Sequence, residues 1–178
     1  MFIMIGLLII FSIPILTFAK TKVFVVLHSH NDAGWLETAD YYYENQSQYI
    51  LETMLSLLEE NPSLKFSWAE VYFLSRYLQD HPTKKLIVKK LILEKRLEIV
   101  GGGWVQNDEA LPDYELVLKQ METGFQYLRT ELNVTQIKTG WQLDPFGHSS
   151  LTAALWEKMG FESLVISRVE LNHRVRFI

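Results

Sequence analysis

Two short segments, far apart in the sequence, contain side chains that could do chemistry. The first is residues 28–35, HSHNDAGW, and the second is residues 144–149, DPFGHS. Each combines a carboxylate, a histidine and an aromatic ring directly after an apolar run that is typical of a buried strand. They offer metal ligands, a nucleophile and a stacking surface for a sugar. Because chemistry in α/β folds sits in loops after the carboxyl ends of strands, we expect the two segments to converge.

His30 and Asp32 are candidate ligands of one metal ion. Side chains two residues apart on an extended segment point the same way, so both could reach the same ion. An imidazole nitrogen and a carboxylate oxygen suit zinc, although other divalent ions use them too. His28 shares their side of the strand and is predicted to orient them. The alternative is structural, with Asp32 capping the next helix and His30 bonded to backbone.

Asp144 is the candidate nucleophile. It precedes a proline, which favours an extended conformation and would direct the carboxylate from the strand end into the mouth of the sheet. In the alternative interpretation Asp144 caps a helix that begins near Ser149.

The aromatic residues near the strand ends have two possible roles. Aromatic faces suit the apolar face of a pyranose ring, but aromatic side chains also fill cores. We predict that Trp35 and Phe146 contact a ligand, whereas Trp68 and Trp141 pack in the core.

A third segment, residues 101–104 (GGGW), does not have the spacing of a phosphate-binding loop. Its glycines are predicted to allow close backbone approach at the rim of the sheet. Asp108 and Glu109 follow, either as a carboxylate pair in the site or as part of a solvated loop.

The apolar pattern that must position these residues predicts alternating strands and helices. The predicted strands are residues 23–27, 64–69, 97–100, 137–143 and 163–167. Between them, apolar residues recur at helical spacing, or residues that end a helix occur, such as Asn61 and Pro62. Alternation predicts a parallel sheet with right-handed crossovers, either open or part of a barrel. Five strands are too few for a closed barrel, so we expect the front portion of a larger unit.

Composition excludes several classes of function. A chain of 178 residues with 48% hydrophobic residues can bury a substantial core. Its net charge of −4 gives no reason to expect nucleic acid as a partner. Cysteine is absent, which excludes disulfides and thiolate zinc sites.

The N-terminal segment predicts export. Residues 1–19 have no charged side chain and are rich in Ile, Leu and Phe. The segment ends at Ala19, and Lys20 follows. We predict a signal peptide, with an uncleaved membrane anchor as the alternative and the only reason to expect contact with a membrane. Export would make usable two triplets for N-glycosylation, at Asn45 and Asn133.

Four blocks of sequence together resemble the glycoside hydrolase family 38 α-mannosidases, particularly the lysosomal-type members. The blocks occur in the family's order and lie in residues 28–35, 66–76, 97–110 and 141–149. The resemblance implies an α/β fold, namely part of the parallel seven-stranded (β/α) barrel with which that family begins, with about five strands present. Residues 20–178 would then be the N-terminal part of the barrel domain.

The resemblance also implies roles for individual residues. The family's zinc ligands fall on His30, Asp32 and Asp144, and Asp144 also matches its catalytic nucleophile. Substrate-binding positions of the family fall on Trp35, Phe146 and Arg168. The family's remaining zinc histidine and its acid/base aspartate lie beyond the matched region.

These matches predict a zinc-dependent, retaining α-mannosidase acting on mannose-containing glycans, in the lysosome or secreted. In a retaining enzyme a second carboxylic acid lies about 5–5.5 Å from the nucleophile. Asp108 is only a distant candidate for it, so the 178-residue chain is expected to be a truncated and inactive form. A non-catalytic sugar-binding remnant remains an alternative, as does a metal-dependent carbohydrate deacetylase, for which His148 would be an extra ligand.

Overall fold

The computed structural model describes residues 22–170. The predicted signal peptide or membrane anchor in residues 1–19 lies outside the described residues. Within residues 22–170, no helix is both long enough and apolar enough to cross a membrane.

Four short strands form two parallel pairs in the described part of the chain. β1 (Phe66–Trp68) pairs with β2 (Leu97–Ile99), and β3 (Thr139–Gln142) pairs with β4 (Ser163–Ile166). The backbone N–H of Gly101 donates to the carbonyl of Thr139 at 2.8 Å and joins the two pairs just past the end of β2. Parallel neighbours follow in chain order, so the predicted α/β class with parallel pairing is confirmed.

The strand predicted at residues 23–27 is absent. This segment runs beside β1 but makes only a bridge between His28 and Ser67, with a 2.8 Å bond from the Ser67 N–H to the Leu27 carbonyl. Its side chains are between 45% and 85% exposed, because no element among residues 22–170 covers either face. The apolar pattern predicted a buried strand, but these side chains are exposed in the described part of the chain. The predicted barrel and its five strands are therefore not confirmed.

Six α-helices connect or flank these strands within the described range. α1 and α2 are joined by a π-helical turn at Tyr43–Ser47. The bounds are α1 (Ala39–Tyr42), α2 (Gln48–Glu60), α3 (Val71–Asp80), α4 (Lys84–Leu93), α5 (Tyr114–Leu132) and α6 (Ser150–Met159).

Local residues explain several helix ends. The side chains of Thr38, Asp113 and Ser149 each accept an N–H bond from the first turn of α1, α5 and α6 respectively. Asn133 ends α5 and Gly160 ends α6, both in the left-handed conformation.

The main core lies between β1, β2 and the helices. It contains Trp68 of β1, Leu97 of β2 and apolar side chains of α2, α3, α4 and α5, all buried. A smaller cluster consists of Ala69, Val100 and Trp141. The predicted burial of Trp68 and Trp141 is confirmed, at 0% and 5% exposure.

The predicted close approach at residues 101–103 is also confirmed. Gly102 has a φ of +73°, and a Cβ there would lie 2.1 Å from the Ile137 side chain. A Cβ on Gly124 of α5 would lie 2.1 Å from the carbonyl oxygen of Gly102. The helix therefore rests directly on the loop backbone, which fixes the loop that continues to Asp108.

Candidate metal centre and cleft

His30, Asp32 and Asp144 converge. One potential ligand atom from each lies within 4.8 Å of the other two. The His30 Nε2 atom is 3.1 Å from Asp32 Oδ1 and 3.7 Å from Asp144 Oδ2. All three side chains are partly exposed, so their polar atoms face a region that a small ion can enter. The sequence therefore predicted the meeting of these residues correctly.

The sheet brings these side chains together from separate loops. His30 and Asp32 follow the bridge at His28, Asp144 follows β3 by two residues, and Arg168 follows β4 by two. Parallel strands end at one edge of a sheet, which places these loops side by side.

The capping alternatives for both aspartates are wrong. The side chain that caps α1 is Thr38, and the one that caps α6 is Ser149. Asp32 and Asp144 therefore do not serve as the caps of these helices.

Arg168 holds one oxygen of the candidate nucleophile. Its Nη2 atom donates to Asp144 Oδ1 at 2.6 Å, while Oδ2 is the oxygen that faces His30. Arg168 has a φ of +50°, an uncommon conformation for a residue with a side chain. Its guanidinium also lies 5.5 Å from the centre of the Phe146 ring. Arg168 thus fixes the rotation of the Asp144 carboxylate and leaves the other oxygen for a ligand.

The loop with His30 and Asp32 is held by a buried glutamate, Glu70, whose supporting role the sequence analysis missed. The Glu70 Oε1 atom accepts a 2.9 Å bond from the backbone N–H of Asn31, which lies between the two ligands. The same oxygen accepts a bond from the Gln106 side-chain amide. Glu70 is fully buried, and burial raises the pKa of its carboxyl. No periodicity marks such a contact, since its partners lie 39 and 36 residues away.

Asn31 is held from its side chain as well. Its Oδ1 accepts a 3.0 Å bond from the Ser47 hydroxyl, and its Nδ2 donates to the Ser29 hydroxyl at 3.1 Å. Ser47 is fully buried at the end of the π-helical turn. The backbone between His30 and Asp32 is therefore fixed from two sides.

A cleft of about 590 Å³ opens over the three converging side chains. Trp35 and Phe146 line it and are each 73% exposed, so their rings are free to contact a ligand. Asp108 and Arg168 also line the cleft. This arrangement presents carboxylates, an imidazole, a guanidinium and two aromatic faces to one space.

Two sequence interpretations need correction here. His28 makes no hydrogen bond to the candidate ligands. Its ring packs edge-on against Trp141 at 5.2 Å between centroids. Asp108 and Glu109 do not act as a pair, because Asp108 is exposed at the cleft whereas the Glu109 side chain is only 4% exposed and bonds to His148.

Comparison with known proteins decides the family. The model of the glycosyl hydrolases family 38 N-terminal domain matches residues 20–178. This chain belongs to glycosyl hydrolase family 38. It is 45% identical over 158 residues to alpha-mannosidase 2 of Mus musculus and 44% identical over 150 residues to alpha-mannosidase 2 of Arabidopsis thaliana. The matches cover 88% and 84% of this chain but only 14% and 13% of those relatives.

A solved structure has a similar fold. The alpha-mannosidase from Enterococcus faecalis V583 superposes with a TM-score of 0.69 at 24% sequence identity. The match covers 79% of this chain and 16% of that one. This likeness shows that the α/β architecture described above is similar to part of that alpha-mannosidase.

The donor set of this family 38 chain fits a zinc ion. Histidine nitrogen and carboxylate oxygens are zinc ligands in proteins, and the three donor atoms are close enough to surround one ion. The bond from Arg168 to the far oxygen of Asp144 and the fixed backbone around Asn31 orient two of the three ligand segments.

Proposed function

We propose that this chain is the N-terminal part of the catalytic domain of a zinc-dependent retaining α-mannosidase, acting on terminal α-mannose in glycans. The observation that carries the proposal is the convergence of His30, Asp32 and Asp144 in a family 38 chain, with Arg168 bonded to Asp144. The names of the similar proteins, both alpha-mannosidases, support mannose as the sugar. The seven-stranded barrel remains part of this proposal.

Asp144 is the proposed nucleophile. Its carboxylate would attack the anomeric carbon and form a glycosyl-enzyme ester as the bond to the leaving oxygen breaks. Water would then attack the same carbon and release Asp144. Arg168 supports this role because its guanidinium donates to one oxygen of the carboxylate and fixes the direction of the other.

His30, Asp32 and Asp144 would hold the zinc ion. A bound zinc ion supplies a positive charge that can orient sugar hydroxyls and stabilise developing negative charge. The exposed rings of Trp35 and Phe146 would pack against the apolar faces of the sugar, as their place in the cleft supports.

The acid that protonates the leaving oxygen is not identified by any contact among residues 22–170. Asp108 lines the cleft and is the candidate within the described residues, whereas Glu109 is committed to other contacts. We therefore propose that the 178-residue chain on its own binds zinc and sugar but turns over little substrate, because positioned proton transfer contributes about 10²–10⁴ in rate.

The deacetylase alternative needs His148 as an additional metal ligand, and His148 is engaged in other contacts. Both ring nitrogens of His148 are within hydrogen-bond distance of protein oxygens, those of Glu109 and Ser167. We also retain export to the lysosome or cell exterior as a proposal, with residues 1–19 as the signal.

The experiment measures zinc and sugar binding by the purified 178-residue chain. Calorimetry should show one zinc site that His30→Ala and Asp144→Asn abolish, while His81→Ala, at an exposed histidine that the cleft does not use, should bind like the original chain. Methyl α-mannoside should then shift NMR signals only in the presence of zinc.

Two results would count against the proposal. Zinc binding that survives Asp144→Asn would remove the shared centre. Rapid hydrolysis of an aryl α-mannoside that Asp144→Asn abolishes would contradict the expected inactivity, and Asp108→Asn would then identify the local acid.

A further inference from the structure

His148 connects two segments beside the candidate centre. Its Nε2 atom lies 2.7 Å from the carbonyl oxygen of Ser167, and its Nδ1 atom lies 3.2 Å from Glu109 Oε1. The second carboxylate oxygen of Glu109 accepts the backbone N–H of Ser149. The His148 and Glu109 side chains are only 20% and 4% exposed, so water competes weakly for the contacts of Glu109, whereas the bond to Ser167 lies at the surface.

The chemistry of the partners restricts how His148 bonds. A backbone carbonyl only accepts, so Nε2 must carry a proton and donate to Ser167. Nδ1 lies 3.2 Å from a carboxylate oxygen of Glu109, on the opposite side of the ring from the Ser167 carbonyl. Each bond then fixes the imidazole ring in one orientation.

These contacts join three separate loops. Glu109 lies before α5, His148 lies between β3 and α6, and Ser167 directly precedes Arg168 after β4. The Ser167 carbonyl belongs to the peptide group that leads into the uncommon backbone conformation of Arg168, φ +50°. Holding that carbonyl therefore limits the direction in which the Arg168 side chain leaves the backbone.

We propose that His148 and Glu109 are positioning residues that hold Arg168 against Asp144. His148 fixes the peptide before Arg168, and Glu109 fixes the ring of His148 and the start of α6. Arg168 in turn holds Asp144 Oδ1 at 2.6 Å, so that Oδ2 faces His30. The inference deepens the proposed zinc centre and rests on it.

A purely structural role would have a different signature. If the contacts served only to start α6, loss of the Ser149 cap should reproduce their effect. Ser149→Ala removes the hydroxyl that accepts the Leu151 N–H and leaves His148 and Ser167 in place. This variant is therefore the matched control.

The test compares His148→Phe, His148→Gln and Ser149→Ala in the 178-residue chain. His148→Phe keeps a ring of similar shape but removes both nitrogens, and zinc affinity should fall roughly tenfold. His148→Gln can place an amide N–H near the Ser167 carbonyl and should recover most of that loss. Ser149→Ala should lower the melting temperature but bind zinc like the original chain.

A second measurement does not depend on metal or on a variant that folds. In the unmutated chain, nitrogen-resolved NMR should show a slowly exchanging proton on His148 Nε2 and protected guanidinium protons on Arg168. A bare Nε2 atom would overturn the proposal, as would unchanged zinc affinity in His148→Phe or an equal loss in Ser149→Ala. If the original chain binds no zinc, the proposed centre fails, and the NMR result alone judges the positioning role.

Discussion

Two glutamates with buried side chains hold the two loops that supply the candidate ligands, and they do so in different surroundings. Glu70 accepts the backbone N–H of Asn31 beside His30, and Glu109 accepts the backbone N–H of Ser149 in the loop after Asp144. Each also bonds to one polar side chain, Gln106 or His148.

The surroundings explain why the two halves should respond differently. Glu70 follows β1, which belongs to the main core, and its second oxygen Oε2 has no hydrogen-bond partner among the described residues. Glu109 bonds to His148 and Ser149 in the loop after β3; the core cluster that contains Trp141 of β3 is small, and β4 is partly exposed. The loop with His30 is thus held mainly by packing around the buried carboxyl group of Glu70. The loop with Asp144 is held mainly by polar contacts between loops.

Glu70→Ala should have the largest effect. It leaves the Asn31 N–H and the Gln106 amide without their acceptor in a buried place, at about 1–3 kcal/mol for each unsatisfied group. We expect a loss of about 2–4 kcal/mol in the free energy of unfolding, measured with urea. Glu70→Gln keeps an acceptor oxygen for Asn31 and should lose less. Equal losses of unfolding free energy in the two variants would show that the hydrogen bond from Asn31 to Glu70 does not contribute to stability.

Glu109→Ala should have a smaller effect on stability. The freed N–H of Ser149 lies at the start of α6, where water can replace the lost acceptor, so we expect a loss of about 1–2 kcal/mol. The same urea titration measures it. A loss greater than that of Glu70→Ala would reverse the comparison between the two halves.

The pH dependence of stability should separate the glutamates further. Burial raises the pKa of Glu70 in the folded chain, whereas the unfolded chain ionises near the ordinary value of 4.5. Above pH 4.5 the folded state therefore retains a proton that the unfolded state has lost, so stability contributed by Glu70 falls as pH rises toward the folded pKa.

Urea titrations of the metal-free chain at several pH values measure this effect. The stability of the original chain relative to Glu70→Gln should decline with rising pH across that window, since glutamine does not titrate. A flat difference would mean that Glu70 has the same pKa in both states.

The smallest effect is expected for an exposed ion pair beside β3 and β4. Lys138 Nζ lies 2.7 Å from Glu162 Oε1, and both side chains are more than half exposed. Lys138→Met should change stability by less than about 0.5 kcal/mol, measured by thermal unfolding with and without added salt. A larger loss would mean that surface charges hold this half together.

The sequence predicted those parts of the molecule that depend on local pattern. His30, Asp32 and Asp144 were recognisable because each follows an apolar run, and the parallel sheet brings such ends together. Asn61 was likewise recognisable as the end of a helix.

Contacts between distant residues were not recognisable in the same way. Glu70 and Glu109 resemble any other glutamate in sequence, since their acceptor role depends on backbone N–H groups about 40 residues away. The strand prediction for residues 23–27 was wrong for a related reason. An apolar run shows which side chains could be buried but not whether another element covers them.

The π-helical turn at Tyr43–Ser47 has a consequence for the phase of the helix around it. A π turn accommodates one more residue than the α-helical path, and successive α-helical residues are rotated by about 100°. Deleting one residue from this turn would rotate α1 by about that angle relative to α2. If α2 kept its packing, Asp40 of α1 would no longer face Arg76 of α3, with which it forms an ion pair. The extra residue of the π turn therefore determines which face of α1 lies against α3.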